Sequence, residues 1–191
     1  LILAIGVRPN IEVLKNTNIK INIGVVVDKF MRTNVNDIYS AGDVVETQNF
    51  ITNQNSVLAI WPVAAIQGKV AGLNMVGKET IYDGMFPMNS VEILGVPSVS
   101  FGITNVEEKD GFEVLSKEDE NFYRKIILKD NKVVGIILVG NIDRAGLYGM
   151  LIREKLDVSK FKNELIKDDF GILVLPKDFR KHLVAKEIFE I

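Results

Sequence analysis

The sequence predicts an α+β protein in which an α/β segment is followed by an antiparallel sheet with helices. The first observation is a proline-initiated helix that follows short apolar strands within residues 1–80. The second is a change of texture beyond Gly84, where short strand-like segments alternate with turn signals. We place the boundary between Lys78 and Gly84, which gives two domains, residues 1–80 and 81–191.

The composition is that of an ordinary folded protein. The 191 residues include 23 Lys and Arg, 25 Asp and Glu, and 47% hydrophobic residues, so the basic excess typical of nucleic-acid binders is lacking. Cysteine is absent and His182 is the single histidine, which excludes disulfides, thiolate zinc sites, iron–sulfur ligation and paired-histidine metal motifs from this chain. The longest apolar run, 57–66, is shorter than the ~20 residues that cross a bilayer. We expect no nucleic-acid, membrane or metal partner, and a cytoplasmic location.

The first segment begins with an apolar run, Leu1 to Ile5, that is typical of a buried strand. A signal peptide would have a basic start and a longer apolar region. Because a natural protein rarely opens inside a buried strand, we expect a piece of a longer protein, cut at its amino side, whose missing part supplies the neighbouring strands. The elements predicted next are a helical turn at 11–16, strands at 25–27 and 37–40, and a polar loop at 47–56.

A helix is predicted from Pro62 to Val76. Proline fits the first helical position, where its missing N–H costs nothing, and Gly77 ends the helix. The apolar spacing directs four side chains toward a core: Val63, Ile66, Val70 and Leu73.

The second segment is predicted to be an antiparallel meander of short strands. The strands are expected at 89–94, 97–101, 112–116, 122–128 and 133–139. Asp130–Asn131 is a good two-residue hairpin turn, and the acidic run Glu118 to Glu120 predicts a second turn.

Helices are predicted to follow this sheet. One covers 144–154 with Asp143 as its N-cap, and another runs from an N-cap at Ser159 to Ile166. A last helix is expected at 177–188, with Phe179, Leu183 and Val184 on a side that docks to its own domain.

Nucleotide-binding glycine motifs are absent from the sequence. No two of the fifteen glycines lie two positions apart, so the G-x-G-x-x-G turn of a dinucleotide site cannot form. Gly72, Gly77 and Lys78 have the spacing of a P-loop, but Glu79 replaces the hydroxyl that would hold Mg²⁺. The segment also lies at the end of a predicted helix, whereas a P-loop leads from a strand into one.

Gly42 and Asp43 form the clearest candidate site. They follow the strand predicted at 37–40, and the carboxyl ends of strands are where open α/β sheets bind ligands. Gly42 allows close approach to the backbone, and the Asp43 carboxylate can accept hydrogen bonds from a sugar-alcohol hydroxyl. Gly-Asp pairs are also ordinary turn residues, so the residues alone leave both interpretations open.

Two runs together resemble the flavoprotein pyridine nucleotide-disulfide oxidoreductase superfamily. They are Ala4 to Asn10, Ala-Ile-Gly-Val-Arg-Pro-Asn, and Thr33 to Asp43, which ends in Tyr-Ser-Ala-Gly-Asp. By that resemblance Asp43 would contact the ribityl chain of FAD. The run Trp61 to Ala65 also resembles the family's segment at the start of the helix that faces the flavin pyrimidine ring. The resemblance therefore implies five FAD-binding residues, Gly42, Asp43, Pro62, Val63 and Ala64, with no catalytic residue in this chain.

The start of the predicted helix has a physical reason to face a flavin. A helix N-terminus presents unpaired N–H groups and partial positive charge, and reduced flavin gathers negative charge near N1 and O2. The helix at Pro62 can stabilise that charge. The alternative is a helix that is only packed against its own core.

Residues 82–154 resemble the C-terminal interface domain of the same superfamily, which commonly mediates dimerisation. The nearest branch is that of NADH-dependent rubredoxin reductases, nitrite reductase subunits and NADH oxidases, because the His-Pro pair of the glutathione-reductase branch is missing at His182–Leu183. The resemblance implies the C-terminal fragment of an FAD-dependent oxidoreductase whose missing N-terminal part binds NADH or NADPH. It also implies a homodimer, with a redox partner protein or small acceptor of unknown identity. The alternative from another class is a non-catalytic interaction module.

Overall fold

A computed structural model describes residues 1–107 and 110–180 of the chain. It divides into two compact units, unit 1 at Leu1–Pro87 and unit 2 at Met88–Ile191. Of the helix expected at 177–188, residues 177–180 are helical. The remainder of that helix, with Leu183, Val184 and the sole histidine His182, lies outside the described residues.

Unit 1 contains a small mixed sheet of three strands. The strands are β1 (Val25–Val26), β2 (Val45–Gln48) and β3 (Asn55–Val57), in the order β1-β2-β3. β1 and β2 are parallel, with Val25 beside Val45. β2 and β3 are antiparallel. The predicted strand at 25–27 and the helical turn at 11–16, seen as the 3₁₀ turn Glu12–Leu14, are confirmed.

Residues 1–5 form no strand, so the expectation of a buried strand is wrong for this structure. Leu1, Ile2, Leu3 and Ile5 are exposed. A buried parallel strand needs hydrogen-bonded neighbours, and none of the described segments pairs with this run.

Of two further expectations for unit 1, the strand at 37–40 is wrong and the loop at 47–56 is confirmed in part. At 37–40 the chain forms a turn with Asp37 at φ 62°, closed by a bond from Thr33 N to Ile38 O (2.9 Å), and only Tyr39 bridges Arg32. The predicted polar loop at 47–56 is shorter, at 49–54, because β2 and β3 extend into its two ends. Its polar side chains shape only the tip, where Asn49 Oδ1 accepts from the N–H of Ile51 at 2.9 Å.

Helix α1 (Trp61–Met75) confirms the predicted helix and its proline in the first turn. Val63 and Val70 are buried as expected, in a core that also contains Met31 and Tyr82. Ile66 is 41% exposed, contrary to expectation, and the buried position on that face is taken by Gln67, which is 2% exposed. Burying a glutamine costs free energy unless its polar atoms form hydrogen bonds.

Unit 2 contains a five-stranded antiparallel sheet. Its strands are β4 (Met88–Ile93), β5 (Val96–Gly102), β6 (Glu113–Glu118), β7 (Tyr123–Lys129) and β8 (Lys132–Val139). All five predicted strands are confirmed, and Asp130 and Asn131 both have positive φ, as the predicted hairpin requires. The order is β4-β5-β8-β7-β6 rather than that of a simple meander. The most apolar strand, β8, lies at the centre, where both its edges are paired.

Helix α2 (Ala145–Glu154) packs on β8 and buries Tyr148, Leu151 and Ile152. The sequence predicted Asp143 as the N-cap of this helix, and this is wrong. The cap position is held by Arg144 at φ 62°, without a side-chain hydrogen bond to the helix. The Arg144 side chain instead donates to the carbonyl of Phe170 at 2.6 Å.

The segment after α2 is part of the core of unit 2. It contains the 3₁₀ turns Lys162–Glu164 and Ile172–Val174 in place of the predicted helix from Ser159. The Tyr148 hydroxyl donates to Leu165 O at 2.6 Å, and Arg124 Nη1 donates to Lys167 O at 2.5 Å. Burial raises the pKa of Tyr148 to about 12, so this hydroxyl stays a donor at neutral pH. These bonds attach the tail to α2 and to β7.

Across residues 1–107 and 110–180, no helix combines the length and apolar character needed to span a membrane.

Candidate functional site

The two motifs singled out in unit 1 lie side by side. Gly42 adopts φ 90°, and a Cβ atom placed on it would lie 3.8 Å from the Cβ of Ala64 in the first turn of α1. The turn is closed by a hydrogen bond from Val45 N to Gly42 O at 3.0 Å. The residues at 42–43 and 62–64 are therefore brought together, although about twenty positions separate them in the sequence.

Asp43 lies on this turn and is exposed. Among the residues that the structure describes, none forms a hydrogen bond or ion pair with its carboxylate. The sequence predicted Asp43 at the carboxyl end of a strand, and this is wrong, because the turn leads into the start of β2. The carboxylate is nevertheless free to accept hydrogen bonds from a ligand.

The start of α1 presents backbone donors. Its N-cap residue, Ile60, makes no side-chain capping bond, and the first turn contains no acidic residue. The Ala64 N–H already donates to Ile60 O at 3.1 Å, and Pro62 has no N–H. The Val63 side chain is fully buried, so only its backbone can face a ligand. The helix dipole adds partial positive charge at this end.

Gln67 connects the two parts, and the sequence analysis missed it. Its Oε1 accepts the N–H of Gly42 at 2.9 Å. The signal was available, since Gln67 lies four residues after Val63 and therefore on the same helix face. The apolar pattern of the helix does not include it, because glutamine is polar.

Glu46 is a second buried polar residue that the sequence analysis missed, 2% exposed on β2. Its carboxylate accepts from Asn22 Nδ2 at 3.0 Å and from the N–H groups of Ile23 and Gly24 at 2.9 and 3.2 Å. Burial opposes ionisation, but these hydrogen bonds outweigh it and hold the pKa of Glu46 below its usual value. No periodic signal marks this glutamate, because its partners lie in an irregular turn.

Glu46→Gln is expected to lower the free energy of unfolding by about 2 kcal/mol at neutral pH, because charge-assisted bonds are lost and an amide N–H₂ meets backbone donors. A lowered folded-state pKa stabilises the fold above the unfolded value, near 4.5, and this stabilisation is lost as the pH falls through the folded pKa. The difference in the free energy of unfolding between wild type and Glu46→Gln should therefore become smaller at acid pH. Denaturant titrations at neutral and acid pH measure it, with the exposed Glu12→Gln as control. Equal stability at pH 7 would contradict the assignment.

Comparison with known families gives matches to both units. Residues 1–68 match the family described as pyridine nucleotide-disulphide oxidoreductase, and this range includes the whole candidate site. Residues 87–156 match the rubredoxin NAD+ reductase C-terminal domain.

Individual proteins give the same result. The chain is 31% identical to an NADH-rubredoxin oxidoreductase of Clostridium acetobutylicum, over 83% of this chain and 39% of that protein. It is 30% identical to a nitrite reductase [NAD(P)H] of Bacillus subtilis, over 83% of this chain and 19% of that protein. The chain thus spans about two fifths or less of these relatives.

Solved structures share the fold. The crystal structure of the NADH:rubredoxin oxidoreductase from Clostridium acetobutylicum matches with a TM-score of 0.64 and 28% identity, over 83% of this chain and 40% of that one. A NAD-dependent persulfide reductase from A. fulgidus matches with a TM-score of 0.75 over 97% of this chain and 40% of that one. Its 20% identity supports the fold alone. The mixed α+β architecture expected from the sequence is confirmed.

Proposed function

Since the chain belongs to the pyridine nucleotide-disulphide oxidoreductase family, whose members are FAD-dependent NAD(P)H oxidoreductases, we propose that it forms part of such an enzyme and supplies FAD contacts from unit 1. The observation that carries the proposal is the contact between the Gly42 turn and the first turn of α1. This contact supports the proposal because Asp43 follows Gly42 directly in the turn and the start of α1 has no side-chain cap. As the chain spans about two fifths of its relatives, the remaining contacts would come from outside it.

Asp43 is proposed to bind the ribityl chain of FAD. A sugar-alcohol hydroxyl donates to a carboxylate in a charge-assisted hydrogen bond. Asp43 suits this role because it is exposed and has no partner among the described residues. Gly42, beside it, leaves room for a ligand to approach the backbone.

Pro62, Val63 and Ala64 are proposed to face the pyrimidine side of the flavin. FAD supplies the hydride chemistry when bound, and the protein orients the cofactor and tunes its charge. At this helix start the N–H of Val63 and the dipole of α1 favour negative charge on a neighbouring group. Within residues 1–107 and 110–180, no side chain caps the helix start, so the donors are available. NADH or NADPH is proposed to bind elsewhere in the longer protein, since the chain contains no G-x-G-x-x-G turn.

The test compares the full-length protein with this chain alone. We expect the full-length protein to carry FAD and oxidise NADH or NADPH. The isolated chain is expected to purify colourless, because one carboxylate and one helix terminus cannot retain the cofactor without a pyrophosphate-binding turn. Visible absorbance of the purified proteins gives the flavin content. A full-length protein without flavin would contradict the proposed function, and stoichiometric flavin in the isolated chain would contradict the need for a Gly-rich turn.

We also propose that unit 2 mediates a homodimer through its β4 edge. The β4–β5 hairpin exposes apolar side chains, with Leu94 fully exposed at the tip and Ile93 and Val96 beside it. β4 is an edge strand, and pairing with a second copy would cover both its backbone and this apolar surface.

The electron acceptor is proposed to be a redox protein or a small molecule. Rubredoxin is the partner named for the relative from Clostridium acetobutylicum.

Sedimentation of the chain at several concentrations is expected to show a defined dimer. Leu94→Asp should shift it to monomer, because a buried charge in an apolar interface is unfavourable. Leu173→Asp is the matched control, since Leu173 is exposed elsewhere in unit 2. A clean wild-type monomer at tens of micromolar would refute the proposal. Heterogeneous association that Leu94→Asp leaves unchanged would also refute it, and would point instead to the exposed apolar residues 1–5.

A further inference from the structure

We infer that Gln67 is a positioning residue that sets where Asp43 stands relative to the start of α1. The inference rests on the proposed FAD site and adds to it a residue that touches no cofactor itself. Gln67 acts through the backbone of Gly42, whose N–H it accepts at 2.9 Å.

The Gly42 turn is held on both sides of Asp43. Before Asp43 the N–H of Gly42 donates to the Gln67 side chain, and after Asp43 the N–H of Val45 donates back to the carbonyl of Gly42. Asp43 lies between these two bonds and makes none of its own with the described residues. The position of Asp43 is therefore set by the residues beside it, and the bond between Gly42 and Gln67 fixes that position relative to α1.

Gln67 lies one helical turn beyond Val63, so the same stretch of α1 holds both the acceptor for Gly42 and the donors at the helix start. A shift of the helix would carry the turn with it. The distance between the Asp43 carboxylate and the Val63 N–H would then stay the same when α1 moves. A ligand that contacts both groups needs this distance to be constant.

The chemistry of the position supports the inference. Gln67 is buried on α1, the helix that also supplies Val63 and Val70 to the unit 1 core, and Met would fill a similar volume without a polar group to satisfy. For packing alone, glutamine is less favourable than methionine, because its amide group loses its hydrogen bonds to water on burial. What it provides is an acceptor for Gly42.

The other end of α1 offers a matched control. There Asn74 donates to Thr80 O at 2.7 Å and to Phe30 O at 3.2 Å, and accepts from Thr80 N at 3.1 Å. Like Gln67, Asn74 anchors the helix through its side-chain amide. It has no contact with the Gly42 turn, so its loss tests stability without moving Asp43.

The experiment uses the full-length protein, with FAD affinity measured by titration of the apoprotein and Gly42 amide protection measured by hydrogen exchange. Gln67→Met is expected to weaken FAD binding about tenfold, the effect of one lost hydrogen bond on the placement of a ligand group, and to remove the protection of Gly42. Gln67→Glu should restore both to within about twofold, since a carboxyl group keeps an acceptor oxygen in either protonation state. Asn74→Leu should lower thermal stability and leave FAD affinity within about twofold of wild type.

Three results would overturn the inference. They are wild-type FAD affinity in Gln67→Met, failure of Gln67→Glu to restore binding, and an equal loss of affinity in Asn74→Leu, which would mark general destabilisation. If wild type binds FAD and Asp43→Ala weakens it while Gln67→Met does not, this inference alone fails. If wild type binds no FAD, the proposed function fails and the inference fails with it.

Discussion

Gly135→Ala is expected to destabilise unit 2 by about 3 kcal/mol or more, a large fraction of the free energy of unfolding of an ordinary domain. Gly135 lies in the central strand β8 opposite Gly102 of β5. Gly102 has φ 68°, which turns the chain so that the carbonyl of Ile103 crosses directly over Gly135. A Cβ at position 135 would fall on that carbonyl oxygen, well inside van der Waals contact. Because the obstacle is backbone, the clash can be relieved only by separating β5 from β8.

Thermal unfolding and hydrogen exchange of the β7 and β8 amides measure this effect. Gly146→Ala serves as the control, because a Cβ there meets open space and alanine favours the helix. It should be neutral or slightly stabilising. Protection of the β8 amides equal to that of wild type in Gly135→Ala would show that the sheet can accommodate the methyl group.

The fold of unit 2 could be predicted strand by strand because each strand carries a local signal. Alternating apolar residues and the Asp130–Asn131 pair mark strands and a turn without reference to distant residues. The strand order could not be predicted in the same way. It depends on the approach of Gly102 to Gly135, a contact between residues more than thirty positions apart.

Unit 1 was harder to predict for the same physical reason. The strand expected at 37–40 is a turn, and the strands β2 and β3 extend into the two ends of the segment expected to be a loop. The hydrogen bonds that decide this pattern run between β1, β2 and β3, whose segments are each four residues or shorter. Such short strands have little periodicity of their own.

The residues of the candidate site also differ in whether a local sequence signal marks them. Gly42, Asp43 and the start of α1 could be identified, because a glycine–aspartate pair and a helix-initiating proline are visible in the sequence. Glu46 could not be identified from the sequence. The spacing from Val63 places Gln67 on the buried face of α1, but it does not indicate what the side chain binds. Only their partners, the N–H groups of Gly42 and of Ile23 and Gly24, reveal their roles.

Asp43→Ala is expected to weaken FAD binding by the full-length protein by about ten- to a hundredfold, as the loss of a charge-assisted hydrogen bond costs about 1.5–3 kcal/mol. The fold should be unaffected, since Asp43 is exposed and bonds to none of the described residues. Turn geometry comes from Gly42 and from the bond between Val45 N and Gly42 O. Removing the carboxylate therefore separates its role as ligand acceptor from its role as a turn residue.

Flavin content after purification and the FAD dissociation constant of the apoprotein measure the effect. Asp43→Asn keeps an acceptor oxygen without the charge, so its affinity should lie between those of wild type and Asp43→Ala. Asp83→Ala is the control for charge alone, because Asp83 is another exposed carboxylate of unit 1; it should leave FAD affinity unchanged. If Asp43→Ala binds FAD as tightly as wild type with its melting temperature unchanged, Asp43 is only a turn residue. The FAD contacts of unit 1 would then be limited to the start of α1.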